Sequence, residues 1–138
     1  MLRYSLFCGL FAVCLCLGCS RNNPKFEKTV PVRGTVAFEN GSPLTSGLIT
    51  FHPKDTTKGD ARGTVGSDGR FELGTYGKSD GVMLGTYTVT VEAITYDRNG
   101  NLTPAPVRIP NKYTDTSTSD LTVEVKEEGD QDMKIVLR

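Results

Sequence analysis

The sequence has no tryptophan, a single histidine and no excess of either charge among its 138 residues, and each shortage removes a class of function. A metal centre built from several imidazoles is excluded, and any Ser-His-Asp or Cys-His relay has to be assembled around His52. The 16 Lys and Arg are matched by 16 Asp and Glu and spread through the chain. No basic stripe of the kind that neutralises several phosphates is present, so nucleic acid is set aside as a partner. The indole platforms that suit sugar rings are missing. Segments of helical period are missing too; 15 Gly, seven Pro and many Thr and Val point to short strands and turns in a single domain.

Cysteine is confined to one place. Cys8, Cys14, Cys16 and Cys19 all lie at the start of the chain, so a disulfide framework is excluded for everything after residue 19. Met1 to Arg3 give a positive start, and Leu6 to Gly18 form an apolar run of signal-peptide length, too short to cross a bilayer as a stable helix. The run closes on Cys16-Leu17-Gly18-Cys19, followed by Ser20, which resembles the lipobox of bacterial lipoproteins with Cys16 in place of the usual leucine. The resemblance implies cleavage before Cys19, lipidation of Cys19, and a membrane partner reached through that lipid anchor. Stable anchoring takes more than one acyl chain. The expected location is the cell envelope, outside the cytoplasm, on the outer membrane or the periplasmic face of the inner one; Ser20 suits the outer. The alternative is an ordinary leader with later cleavage, leaving a secreted soluble domain.

Ser20 to Thr29 is polar and contains Pro24, the composition of a flexible tether. From Val30 the period becomes two: Val30, Val32, Gly34, Val36 and Phe38 alternate with polar neighbours, and Asn40-Gly41 closes the run as a turn. Leu48 to His52 puts Ile49 and Phe51 on one side, with His52 on the outward side, before Pro53. Ala61 to Gly66 and Arg70 to Leu73 flank Ser67-Asp68-Gly69 as a hairpin, with Val65, Phe71 and Leu73 inward. Gly85 to Ile94 is the plainest strand, with Tyr87, Val89, Val91 and Ala93 inward. Asp97 to Asn101 is a turn, and the prolines of Thr103 to Pro110 leave room only for a short edge piece. Leu121 to Lys126 and Met133 to Leu137 flank the acidic turn Glu127 to Asp132 as a closing hairpin. The sum is an all-β, seven- or eight-stranded antiparallel sandwich.

Val32-Arg33-Gly34-Thr35-Val36, Ile49-Thr50-Phe51-His52-Pro53, Ser67-Asp68-Gly69-Arg70-Phe71 and Gly85-Thr86-Tyr87-Thr88-Val89-Thr90-Val91 occur in this order, with Ile109-Pro110-Asn111-Lys112-Tyr113 and Leu121 to Val125 after them. The set resembles the carboxypeptidase regulatory-like (transthyretin-like) domains of planctomycete lipoproteins, over about Val30 to Leu137. The resemblance implies a transthyretin- or immunoglobulin-like sandwich serving as an accessory or interaction module. It supplies no catalytic residue. Hydroxyisourate hydrolysis, which shares the transthyretin architecture, is rejected because the chain ends Ile135-Val136-Leu137-Arg138 and lacks that family's histidines. The expected division is a signal peptide helix over 1–18, a tether over 19–29 and the sandwich over 30–138.

Candidate sites are few. His52 reads as a surface or strand-end residue, since catalysis needs a nucleophile and an orienting group around it. Asp68 beside Arg70, and Asp97, Asn99 and Asn101, lack the ligand series of a calcium loop and read as turns. Glu127, Glu128, Asp130 and Asp132 crowd a hairpin tip, unlike the two positioned acids of a glycosidase. Tyr76, Tyr96 and Tyr113 are the loop-side aromatics available for ligand contact. The expected protein is non-enzymatic and carries no cofactor. Its sandwich engages an unidentified envelope protein or polysaccharide through edge strands or loops. Two alternatives are kept: a carbohydrate- or small-ligand-binding module using the tyrosines, and a hydrolase using His52.

Overall fold

The structure, a computed structural model, describes residues 26–138; the leader, Cys19 and the tether up to residue 25 lie outside the described residues. It is the all-β sandwich expected from the alternating pattern. The strands are β1 (Thr29–Val30), β2 (Val32–Phe38), β3 (Gly47–Pro53), β4 (Ala61–Val65), β5 (Arg70–Glu72) and β6 (Val82–Met83). They continue with β7 (Gly85–Glu92), β8 (Ile94–Tyr96), β9 (Leu102–Pro104), β10 (Thr122–Val125) and β11 (Asp130–Leu137), with a 3-10 turn at Asn111–Thr114. A four-stranded sheet in the order β10-β7-β3-β4 packs on a three-stranded sheet in the order β11-β2-β5, and β1-β6 and β8-β9 form two small ribbons beside them.

The core follows from the period-two arithmetic. Ile49 and Phe51 of β3, Tyr87, Val89 and Val91 of β7, Val36 of β2 and Ile135 and Leu137 of β11 all project between the sheets and are buried. Full burial of each such side chain stabilises by about 1.5–3 kcal/mol. Phe51 and Tyr87 lie 5.8 Å apart between ring centroids, and the Tyr87 hydroxyl donates to the Met83 carbonyl at 2.8 Å, which satisfies its one polar atom. Gly34 has a steric reason: a Cβ there would collide with the backbone of Met133, which stands opposite it in the β2–β11 ladder beside an irregularity in the register.

Four expectations are corrected. The sandwich is not wholly antiparallel: β11 runs parallel to β2, with Ile135 opposite Val36. The closing hairpin is not one, since β10 pairs with β7 in the other sheet. The turn at Lys126–Gly129, held by the Gly129 amide on the Lys126 carbonyl at 3.0 Å, carries the chain across the core, because both Val125 and the Met133, Ile135, Leu137 set need an inner face. Similarly, β4 and β5 begin as a hairpin at Gly66 N to Arg70 O (2.9 Å) and touch again where Arg62 and Gly74 exchange amide bonds (2.9 and 3.0 Å). Between those points β4 joins β3 and β5 joins β2. The run from Val30 is broken at Pro31, whose carbonyl accepts the Asp130 amide at 3.0 Å, and Val30 pairs separately with Val82. Ahead of β1, which starts at Thr29, the Glu27 amide donates to the Tyr76 hydroxyl at 2.9 Å.

Candidate functional site

The outer face of the four-stranded sheet carries the residues that alternate away from the core: Leu48, Thr50 and His52 of β3, Thr90 and Glu92 of β7, and Arg62 of β4. With the Thr114–Thr116 segment they line a groove of about 430 Å³. Thr50 and Thr90 are directly opposed across the β3–β7 ladder and form its floor, only 5% and 4% exposed. His52 lies at one end. Its Nε2 is 2.9 Å from Thr90 Oγ1, and its Nδ1 is 3.4 Å from Asp60 Oδ2. The same carboxylate oxygen faces Arg62 Nη2 at 3.3 Å. A line Asp60–His52–Thr90 therefore joins β3, β7 and the loop entering β4.

This line has the members that a hydrolytic relay requires, a hydroxyl, an imidazole and an orienting carboxylate. Thr90, however, is on the groove floor and only 4% exposed as a residue. The adjacent Val89 amide is spent on the Leu121 carbonyl at 2.9 Å. What the arrangement does directly is fix the imidazole, with both nitrogens engaged, as a polar bridge joining β3, β7 and the loop ahead of β4. Asp60 and Thr90 were not legible as its partners in the sequence; they meet His52 only through the β3–β7 register and the course of the loop ahead of β4.

A second concavity, of about 600 Å³, lies where β4 and β5 part toward different sheets; Phe71 and Gly63 form its base and Arg62, Arg70, Glu72 and Lys78 its rim. Arg70 is paired with Asp68 at 3.4 Å and Glu72 with Arg33 at 3.7 Å, so two of the rim charges are met by partners from outside the rim.

The three tyrosines are not brought together. Tyr113 is in the core, 1% exposed, and offers no ring face to a ligand; it comes from the 3-10 turn and was missed as a core residue because the prolines before it read as loop. Tyr76 is 45% exposed in the loop between β5 and β6, against Phe26. Tyr96 is 60% exposed at the end of β8 and stands directly opposite Leu102 of β9, 58% exposed. Ile94 and Pro104 share that face, so the β8-β9 ribbon is an arm with an apolar side. Its tip is held by Asp97, whose carboxylate accepts from the amides of Asn99 (2.8 Å) and Asn101 (2.9 Å) and from the Asn101 side chain (3.2 Å). These bonds hold the Asp97 carboxyl below its ordinary pKa. The cluster is thus a stiff turn whose carboxylate is already occupied by the turn itself.

Among the described residues no helix is long and apolar enough to cross a membrane, and no three His, Cys, Asp or Glu side chains converge as metal ligands. No protein-family model, curated protein or solved structure matches the chain.

Proposed function

We propose that the chain is a non-enzymatic, lipid-anchored module of the cell envelope, attached through Cys19 and engaging a protein partner through the β8-β9 arm. The observation that carries this reading is the arm itself. Tyr96, Leu102, Ile94 and Pro104 make one continuous apolar side on a ribbon whose tip is stiffened by Asp97. An apolar ribbon side rimmed by polar turn residues suits a protein contact. Aliphatic Leu102 and Ile94 beside one tyrosine fit a protein better than a polysaccharide. The leader pattern, the absence of cysteine after residue 19 and the resemblance to carboxypeptidase regulatory-like domains support the extracytoplasmic setting.

The test is site-specific photo-crosslinking in cells, with a benzophenone side chain at Tyr96 or Leu102 and a control at exposed Lys126. A discrete adduct at both arm positions and none at the control is the expected result. Equal labelling at all three, or none, overturns the arm as the contact. Intact mass of the detergent-extracted protein reports the lipid separately.

A second reading rests on the His52 groove: Thr50, Thr90, His52, Arg62 and Glu92 supply donors and acceptors for a small polyhydroxy ligand. NMR shifts of groove amides on titration with a glycan panel test it; their absence across the panel removes it.

A further inference from the structure

We infer that the end of the sandwich bearing Phe26 and Tyr76 is a bilayer-contact surface, so that the module stands on the membrane in one orientation with its arm directed away. This inference rests on the proposed attachment through Cys19. The two rings meet edge to face with centroids 4.6 Å apart, although they are 66% and 45% exposed. They are also fixed. The Tyr76 hydroxyl accepts the Glu27 amide at 2.9 Å and reaches the Met83 sulfur at 3.5 Å, while Thr29 and Val30 are laddered to Met83 and Val82. An exposed aromatic pair held this way is a prepared apolar patch with a polar hydroxyl at its edge. Such rings favour the boundary between headgroups and acyl chains.

The covalent chain restricts what lies opposite the patch. Phe26 is seven residues after Cys19, and seven residues span at most about 25 Å even fully extended. A domain tied to a lipid at Cys19 therefore keeps this end within reach of the headgroups. Charge does not drive the contact, because both signs crowd this end: Lys28, Lys54, Lys58 and Lys126 stand with Glu27, Asp55, Glu127 and Glu128, the acidic turn lying here since Val125 pairs with Gly85 and the Asp130 amide binds the Pro31 carbonyl. The binding is thus expected to be insensitive to salt and to anionic lipid. The strand β7 starts here, where Lys58 Nζ donates to the Leu84 carbonyl at 2.6 Å, and runs to Glu92 before the β8-β9 arm begins. Its eight residues cover about 25 Å, so contact at the Phe26 end raises Tyr96 and Leu102 clear of the bilayer.

The test uses the chain from Cys19 onward, whose one thiol is coupled to a maleimide phospholipid in phosphatidylcholine vesicles. Attachment is then guaranteed whether or not the cell lipidates Cys19, which intact mass decides independently. Phe26→Trp or Tyr96→Trp introduces the only indole, and brominated phosphatidylcholine in the vesicle quenches indoles at the interface. Several-fold stronger quenching of F26W than of Y96W is expected, unchanged in high salt or with phosphatidylglycerol added, and reduced when Tyr76→Ser is combined with F26W. Equal quenching of the two reporters, or none of F26W, overturns the orientation. A quenching that disappears in high salt overturns the aromatic mechanism.

Discussion

The Tyr113 hydroxyl accepts the amide of Arg138 at 2.8 Å and lies 3.2 Å from the carbonyl of the same residue, so a ring from the 3-10 turn clamps the end of β11. Removing only the hydroxyl in Tyr113→Phe takes away both bonds and is expected to cost about 1–3 kcal/mol, at roughly 0.5–1.5 kcal/mol for each. Tyr113→Ala also opens a cavity under the clamp and is expected to cost about 3–5 kcal/mol, as for other large buried aromatics. Urea unfolding of both variants separates the bonds from the packing.

Gly34→Ala is expected to be among the most damaging of small substitutions. The added methyl meets the Met133 backbone in the pairing that joins β11 to β2, so relief requires moving a strand. Gly41→Ala is the comparison: nothing lies near its Cβ, but the backbone there has φ +85°, so only the cost of a left-handed turn is incurred, about 1 kcal/mol. A larger fall in unfolding midpoint for G34A than for G41A is the expected result.

Burial pushes the Tyr87 hydroxyl up to about 12 from its ordinary 10, with the nearby Glu27 carboxylate adding to the effect. Above pH 10 the unfolded chain gives up this proton while the folded chain keeps it, so the unfolded state is favoured as pH rises. The contribution is whole below pH 10 and is lost progressively up to about 12. Tyr87→Phe is expected to flatten the alkaline fall in thermal midpoint between those values.

Asp97 titrates in the opposite sense. Its folded pKa is depressed first by the amide and side chain of Asn101 and then by the amide of Asn99, so the turn is stabilised wherever the carboxylate is ionised, above the ordinary carboxyl range, and loses that support as pH falls through the depressed value. Amide exchange at Asn99 and Asn101 is expected to accelerate on acidification, and Asp97→Ala to show the fast exchange at neutral pH with little change in global stability.

His52→Ala is expected to loosen the outer face of the four-stranded sheet by removing the bridge between Asp60 and Thr90, while the contact of Asp60 with Arg62 remains. Loss of one partly buried hydrogen bond predicts about 1 kcal/mol. Hydrolysis of activated esters is expected to be the same for H52A as for the unsubstituted protein. A specific loss of turnover in the variant supports the hydrolase reading instead.

The strands and their inner faces were legible because the side-chain period of a strand is a local property. Tyr87, Val89 and Val91 alternate with threonines, and all three are buried as that alternation requires. Turn chemistry was legible for the same reason: Asp97 to Asn101 closes the β8-β9 ribbon with the side-chain bonds its residues favour. Which strand each edge would meet was not legible. The turns at Ser67–Gly69 and Lys126–Gly129 have the composition of hairpin turns, yet the chain leaves both for the opposite sheet. That choice is made by the apolar faces that must close over one core.

Tyr113, Asp60 and Thr90 illustrate the same division at the level of single residues. Nothing next to Tyr113 in the chain marks it as a core residue, because the end of β11 that covers it is 25 residues away. Thr90 is one of several alternating threonines until the register sets it opposite Thr50 and beside His52. The sequence by itself determined the elements, the inner faces and the turns, since these depend on backbone preferences and the burial of neighbours a few residues apart. Only the tertiary structure decided the parallel β2–β11 pairing, the grouping of Phe26 with Tyr76 at one end and the pairing of Tyr96 with Leu102 on the arm. Those contacts join positions whose affinity is expressed once the two sheets have closed.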